Sequence, residues 1–424
     1  MSFRYSGGWS PRSVYVVIFL TLTYAFNYAD RQILALVLPL LKKDMSLSDS
    51  ELGLISGAAF VLFYSLLGIP IARLADRASR RNILALGFCF WSLMTMLTGL
   101  VGNAWQLAGT RFLMGAGEAS GLAPSHSMVS DIFNKVRRPF ALAIVAGGTS
   151  LSALIFFPLV GWVSQNHGWH AAFYLAGAAG LVLSVLFALT VKEPMRGGTT
   201  TAPAPAQERF WTTILFLFGS RAFILTLIGG SFMGISLYAG QIWHPTFLVR
   251  VHHMTLVQVG ASIGTLRGIL GLAGAVLGGF LADRLGRRDE RWRLWVPGLA
   301  CMMVLPGELV FLLVPNLTVA LAGLGLTSFF AAMHFGPLYA SVQGIAKPAM
   351  RATAAAVFLL FANLVGQITG PLMVGFLNDQ WASAYGDLAI RYSLILGGAC
   401  AFVGGIGIFA GAASLSRDTA KAES

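Results

Sequence analysis

Ala72-Arg-Leu-Ala-Asp-Arg-Ala-Ser-Arg-Arg81 and Gly279-Phe-Leu-Ala-Asp-Arg-Leu-Gly-Arg-Arg288 are two versions of one phrase. Their aspartates, Asp76 and Asp283, stand 207 positions apart. Two proline-marked stretches recur in the same order. Gly121-Leu-Ala-Pro124 returns as Phe335-Gly-Pro337, and Pro158-Leu-Val-Gly161-Trp162 returns as Pro371-Leu-Met-Val-Gly375-Phe376, each proline pair offset by 213. One match would say little. Three in chain order argue for a duplicated unit.

The runs between these phrases are apolar. The chain has 424 residues, 56% hydrophobic and 11% charged, with 30 Phe against 17 acidic residues. A soluble globular domain carries about 25% charged residues. No water-soluble fold can hide that much apolar surface, which excludes an ordinary soluble enzyme, a disulfide scaffold and a disordered chain. What remains is an all-α integral membrane protein. Twelve apolar runs read as spanning helices, over 13–40, 49–72, 80–101, 105–130, 138–164, 169–191, 220–248, 255–282, 293–314, 318–346, 350–377 and 387–415. With the repeat, they form two pseudo-symmetric six-helix bundles, 1–191 and 220–424. The polar, Pro-rich stretch Arg196–Gln207 divides them, within a linker over 192–219. The end of that linker, Gln207–Phe218, reads as an amphipathic helix lying on the membrane surface. The first apolar run is too long for a cleavable signal, and no small-residue cleavage site follows a short core.

The net charge of +12 does not gather on a solvated domain, so nucleic acid is not an expected partner. Lys and Arg collect in the N-terminus, the loops after spans 2, 4, 8 and 10, the linker and the C-terminus. The opposite loops hold Lys42, Lys43, Arg250 and Arg391. The positive-inside rule therefore places both termini and the linker in the cytoplasm, in a multi-pass protein of the plasma (inner) membrane. Cys89, Cys301 and Cys400 lie in apolar runs without ligand spacing and read as small buried hydrophobes. The chain lacks His-Glu-x-x-His, Gly-x-Ser-x-Gly and a Walker phosphate loop. No cofactor or metal is expected, and neither a membrane-embedded enzyme nor an ATP-driven pump is favoured. A channel would need a continuous polar pore, and the charges instead cluster in one half.

The charges deep in the spans are Asp30, Arg31, Arg111, Glu118, Arg267 and Glu308. Each costs about 2.5–3.5 kcal/mol at a helix centre, so a partner or a function is expected. Arg111 and Glu118 are seven apart and share one helix face.

The two basic loops resemble the signature of the major facilitator superfamily. The second copy fits well, and the first has Ala72 and Ser79 where the family usually has Gly. Asn27-Tyr-Ala-Asp30-Arg31, Gly53 to Arg81, and Arg111-Phe-Leu-Met-Gly115-Ala-Gly117-Glu118-Ala-Ser120 resemble the Spinster branch. Asn-Tyr-x-Asp-Arg also occurs in organic-anion symporters of the superfamily. The resemblance implies a secondary transporter of lysophospholipids or sphingolipids, coupled to protons, monomeric, with membrane lipids as its surroundings. It also implies that spans 1, 4, 7 and 10 line a central cavity. Asp30, Arg31, Arg111 and Glu118 then meet in one cluster.

A rocking motion that changes the distance from Arg111 would switch Glu118 or Asp30 between holding and releasing a proton. A fixed ion pair joining spans 1 and 4 is the other reading. The second half lacks these charges, because the repeat puts Leu324 and Ala331 at the places of Arg111 and Glu118. There Tyr238, Trp243, Met333, His334, Phe335, Phe358, Phe361, Asn363 and Gln367 could wall an amphipathic pocket, or simply pack. Arg31, beside Asn27, suits an anionic head such as phosphate or carboxylate. His334 could titrate or be a structural hydrogen-bonded histidine. Arg267 has no evident acidic partner except Glu308. Asp76, Arg77, Arg80, Asp283, Arg284 and Arg287 are expected to gate the cytoplasmic side. The rival substrate class is a small organic anion such as a sugar acid.

Overall fold

The computed structural model describes residues 7–196 and 210–423, and no strand occurs among them. Most of the linker, 197–209, lies outside the described residues. The helices in chain order are α1 Pro11–Met45, α2 Asp49–Ser56, α3 Ala58–Arg77, α4 Arg80–Thr98, α5 Ala104–Glu118, α6 Leu122–Ile132, α7 Arg138–Ala146, α8 Gly148–Leu151 and α9 Phe157–Thr190. After the linker come α10 Phe210–Phe218, α11 Arg221–His252, α12 Leu256–Thr265, α13 Gly271–Gly286, α14 Trp292–Leu313, α15 Leu317–Met333, α16 Phe335–Ile345, α17 Arg351–Tyr385 and α18 Ala389–Glu423. Among the described residues, eight continuous helical runs are long and apolar enough to cross a membrane. The longest, Arg138–Thr190 and Arg351–Ala422, span 53 and 72 residues and each contain a break. The first break is Gly168, at φ 82° and ψ 162°, a backbone region open essentially to glycine alone. The second is Gly386 at φ 54°.

Several expected spans are helix pairs. Span 2 is interrupted at Gly57, between α2 and α3. Span 4 is interrupted at Ala119–Gly121, between α5 and α6. Span 10 is interrupted at His334, between α15 and α16. Two five-residue π-helical segments, Ser152–Phe156 and Leu266–Leu270, widen the turn inside spans 5 and 8. Of the segment expected to form a surface helix, the described part Phe210–Phe218 is helical, with Trp211 and Leu215 exposed and Leu217 buried.

The residues group into two compact units. One holds Met1–Leu47, Ala58–Pro203 and Thr255–Gly264, and the other Ser48–Gly57, Ala204–Met254 and Thr265–Ser424. The core of the first unit gathers Phe19, Phe88, Trp91, Met128 and Phe133. That of the second gathers Phe223, Leu294, Cys301, Leu338 and Phe358.

Helix ends are tied by carboxylates, which satisfy the orphan N–H groups of a first turn and suit its positive dipole end. Asp418 of α18 accepts from the Ser220 hydroxyl (2.8 Å) and the Ala222 N–H (3.0 Å) at the start of α11. Asp379 of α17 accepts from the N–H groups of Asp49 (3.1 Å) and Ser50 (2.7 Å) at the start of α2. The Asp49 carboxylate, 1% exposed, takes both Arg250 nitrogens at 2.5 and 2.7 Å and Asn378 Nδ2 at 2.9 Å. Arg250 therefore holds helices together, where the sequence offered only a loop cation.

The first basic loop is stapled to the end of span 6. Arg80 is 3% exposed. It pairs with Asp131, reaches Glu193 Oε1 at 2.9 Å and Ser127 Oγ at 3.0 Å, and donates to the Pro194 carbonyl at 2.8 Å. Glu193 Oε2 accepts from Ser79 Oγ and the Arg81 N–H, each at 2.8 Å. Arg196 donates to the carbonyls of Ala75 and Ala78, closing the end of α3. Burial pushes the Glu193 carboxyl up, but the Arg81 N–H, the Arg80 guanidinium and the Ser79 hydroxyl together push it further down. The net result lies below the usual carboxylate range. A carboxyl lowered on folding adds stability that is complete above its unfolded pKa and is lost as pH falls through its folded pKa. Glu193→Gln should therefore cost about 1.5–3 kcal/mol at neutral pH, the range for hydrogen bonds to a charged group. Thermal unfolding in detergent should show the gap between variant and parent closing as the buffer is taken below the ordinary glutamate range. A gap that stays constant on acidification would contradict this.

Candidate functional site

The cluster of the first unit is built where a helix breaks. Asn103 caps α5 by accepting from the Gln106 N–H at 3.0 Å. The helix then runs through Arg111 and ends at Glu118, whose own carbonyl accepts from the Gly121 N–H at 2.9 Å. Close packing permits this. A Cβ on Gly117 would lie 2.9 Å from Trp91 Cβ and 2.9 Å from the Trp91 backbone nitrogen. Glycine thus lets α5 sit against α4, and α1 brings Asp30 and Arg31 to the same depth.

Asp30, Arg111 and Glu118 are 2%, 1% and 1% exposed. Arg31 is half-buried and chelates one carboxylate oxygen: Nε and Nη2 reach Glu118 Oε2 at 2.9 and 2.7 Å. Its Nη2 also reaches Asn27 Oδ1 at 3.4 Å. The Arg31 guanidinium lies 4.6 Å from the Phe60 ring centre and 5.1 Å from that of Tyr64, and Arg111 approaches Phe60 at 5.3 Å. These aromatic faces help hold the cations out of water.

Four expected residues thus meet, but their pairing differs from the expectation. Glu118 is held by Arg31 rather than by Arg111. The reason is local: Arg111 sits on the same helix two turns back, and its Nη1 turns to Met114 Sδ (3.1 Å) and the Asp30 carbonyl (3.4 Å). Arg31 is accordingly spent on a protein carboxylate in this state rather than presented to an anion. Asp30 Oδ1, Glu118 Oε1 and Arg111 Nε are buried without a hydrogen-bond partner. Buried polar atoms are nearly always paired, so three such atoms in one cluster set it apart from the rest of the unit.

The expected pocket residues of the second unit divide. Tyr238 donates to Asn363 Oδ1 at 2.7 Å. Gln367 is buried and Phe335 is exposed, its ring stacked on Tyr339 at 6.2 Å. Met333 and Phe358 are buried in the core, while Phe361 is exposed. Trp243 does not fit the role of pocket wall, because it is 0% exposed and its indole N–H is used on the Pro371 carbonyl at 3.0 Å. His334 stands at the break of span 10, where the repeat places Gly121 in span 4. It is buried, and its Nδ1 meets the Ala331 carbonyl. A carbonyl only accepts, so Nδ1 carries the proton.

The expected gate residues also divide. Arg80 is in the staple described above. Asp76, Arg77, Asp283, Arg284 and Arg287 are exposed. Among the described residues no ion pair to either aspartate occurs, and Arg284 lies 5.9 Å from the Phe280 ring centre. Sequence reasoning missed Asp49, Asn378 and Asp379 altogether. Asp49 opens α2 and the other two lie within α17, and no local spacing ties them together. Their partners lie as many as 330 residues away along the chain.

The model of the Major Facilitator Superfamily matches residues 20–371. An "MFS-type efflux pump" of Mycolicibacterium smegmatis is 32% identical over 96% of this chain and 95% of its own length. A "Probable galactarate/D-glucarate transporter GudP" of Bacillus subtilis is 28% identical over 88% of this chain and 87% of its own. "Protein spinster homolog 1" of Xenopus tropicalis is 27% identical over 97% of this chain and 82% of its own. Among solved structures, a bacterial homolog of the human lysosomal transporter Spinster, described as inward-facing and unoccupied, superposes with a TM-score of 0.88. It is 24% identical, with 97% of this chain and 99% of that chain covered. The all-helical fold, the duplicated basic loop and these relatives converge on a multi-pass membrane transporter rather than an enzyme. The chain belongs to the Major Facilitator Superfamily and is Spinster-like.

Proposed function

We propose that this transporter is a proton-coupled secondary transporter working by alternating access, with Asp30, Glu118, Arg31 and Arg111 as its coupling site. The observation that carries the reading is the asymmetry of the buried acids. Glu118 gives one oxygen to Arg31 and keeps the other idle, while Asp30 keeps Oδ1 idle with no guanidinium bonded to its carboxyl. A proton can enter at Asp30 without breaking an ion pair. A proton on Glu118 weakens its hold on Arg31, whose planar fork is then open to an anionic substrate head. Proton and anion thus compete for one network, which is a physical basis for coupling them.

The substrate proposed is an amphipathic anion such as a lysophospholipid or sphingolipid. The Spinster relatives and the amphipathic character of Tyr238, Asn363, His334, Phe335 and Gln367 support it. A small organic anion such as a sugar acid is the second reading, supported by the relative that carries a galactarate/D-glucarate name. Both termini are placed in the cytoplasm of the plasma (inner) membrane on the distribution of Lys and Arg, and the working unit is a monomer. Asp76, Arg77, Asp283, Arg284 and Arg287 are proposed to engage in another state of the cycle, and the Asp49–Arg250 pair to release.

Proteoliposomes loaded with a pH gradient should accumulate a labelled lysolipid faster than without one. Asp30→Asn and Glu118→Gln should each lower gradient-driven uptake by tenfold or more while leaving exchange at equal pH less affected. Normal proton-driven uptake by Glu118→Gln removes Glu118 from coupling, and uptake of glucarate in place of the lysolipid favours the second reading. The ion pair itself can be weighed by unfolding. Breaking a buried pair from one side typically costs about 3–5 kcal/mol, whereas replacing both partners by apolar side chains is often near neutral. Arg31→Met should therefore lower the unfolding temperature in detergent by more than the double change Arg31→Met, Glu118→Met.

A further inference from the structure

The second unit buries its own ionisable set, which the coupling site does not use. His244 stands on α11, Arg267 in the π-helical segment Leu266–Leu270, and Glu308 on α14 two residues past Pro306. His244 and Glu308 are 4% and 3% exposed. His244 Nε2 lies 2.7 Å from Glu308 Oε1, and its Nδ1 lies 3.3 Å from Arg267 Nη2. The same Nη2 donates to the Gly240 carbonyl at 3.0 Å.

Arginine settles the protonation of the ring. A guanidinium has donors and no acceptor, so Nδ1 must offer its lone pair. The ring proton is then on Nε2, where it is donated to Glu308 Oε1. With a neutral imidazole, one guanidinium and one carboxylate, the set carries no net charge. Glu308 Oε2 is buried and has no hydrogen-bond partner. Other helices leave it that way. The Phe311 ring stands edge-on to His244 at 5.0 Å. From α18, Gly398 abuts Glu308 Cγ, and from α15, Thr327 abuts Gly307. Gly398 and Thr327 carry no titratable group; His244 is the ionisable side chain bonded to the carboxyl, and Arg267 reaches the set through His244.

We infer that His244, Arg267 and Glu308 form a second proton-binding station, with Glu308 Oε2 as the atom that takes the proton. A proton entering at Nδ1 would have to expel Arg267, while one entering at Oε2 disturbs no existing contact. Hydronium supplies it. One O–H bond of hydronium breaks, an O–H bond forms at Oε2, water leaves, no bond of the protein breaks, and the set gains one positive charge. The π-helical turn that carries Arg267 is a second sign, because such turns in α-helices are frequent at functional sites. The station is independent of which substrate is moved.

Infrared difference spectra of the full-length protein in liposomes, recorded as pH is stepped, test it. Asp30→Asn, Glu118→Gln forms the parent, so that the first cluster is silent. A carboxylic C=O band that titrates and shifts in heavy water should persist in this parent and vanish on adding Glu308→Gln. His244→Gln should keep the band and move its frequency, because it changes the hydrogen bond on the same carboxyl. Absence of a titrating band in the parent, or its survival in Glu308→Gln, overturns the station. Should Glu308→Gln not fold, an unmoved band in His244→Gln overturns it equally. The readout is protonation itself, so failure here leaves the transport reading standing, and failure of the transport reading leaves this one testable.

Discussion

Ionised groups in an apolar helix bundle must find each other, because neither lipid nor packed side chains can solvate them. Desolvating two charges costs several kcal/mol each, recovered only when geometry is good and the remaining lone pairs are used. Arg31 and Glu118 meet the first condition and only part of the second. Two nitrogens converge on Glu118 Oε2, and Oε1 is idle. The arrangement of α1, α4 and α5 follows from making that contact possible. Gly117 lets α5 approach Trp91, and the break after Glu118 stops the helix where its carboxyl meets Arg31. An imperfectly satisfied pair is a poor glue and a good sensor, since small changes in charge alter which partner wins.

The same device recurs in the second unit with different residues. His244 bridges Arg267 and Glu308 much as Arg31 bridges Asn27 and Glu118, and again one carboxylate oxygen is left over. Both sets lie at or beside irregular backbone: the Ala119–Gly121 break in one, the Leu266–Leu270 π-helical turn in the other. Backbone irregularity at membrane depth survives only where protein or a polar pocket satisfies it. The duplication did not copy the charges. It kept a break near Pro124 in span 4 and near Pro337 in span 10, while the charged set of the second unit lies elsewhere, at the π-helical turn of span 8.

Away from these sets, helix ends rather than helix middles carry the strong polar contacts. Asp418, Asp379 and Glu193 each serve a first turn or a helix start, and Asp49 receives the fork of Arg250. A carboxylate there meets backbone N–H groups already aligned with the dipole, so little is lost in arranging them. Small-residue packing completes the scaffold between the ends, with glycines opposite backbone atoms in both units.

The apolar runs, the duplicated loop and the proline pairs made the helical membrane fold legible from residue order alone. These are local signals, set by composition and by neighbours a few positions apart. The presence of Asp30, Arg31, Arg111 and Glu118 in spans was equally plain, because a charge among apolar residues stands out. Which acid meets which base was not. Spacing favoured Arg111 for Glu118, since seven residues share a helix face, yet α1 supplied the partner from 87 positions away. His244 with Glu308 and Asp49 with Arg250 are 64 and 201 positions apart and carry no mutual signal in the chain. Trp243 read as a pocket wall and is core, because burial is a property of what packs outside it. Residue order determines where a charge enters the membrane. Helix packing decides what it touches there, because side chains reach only a few ångströms and the helices that bring them together are joined by the whole length of the fold.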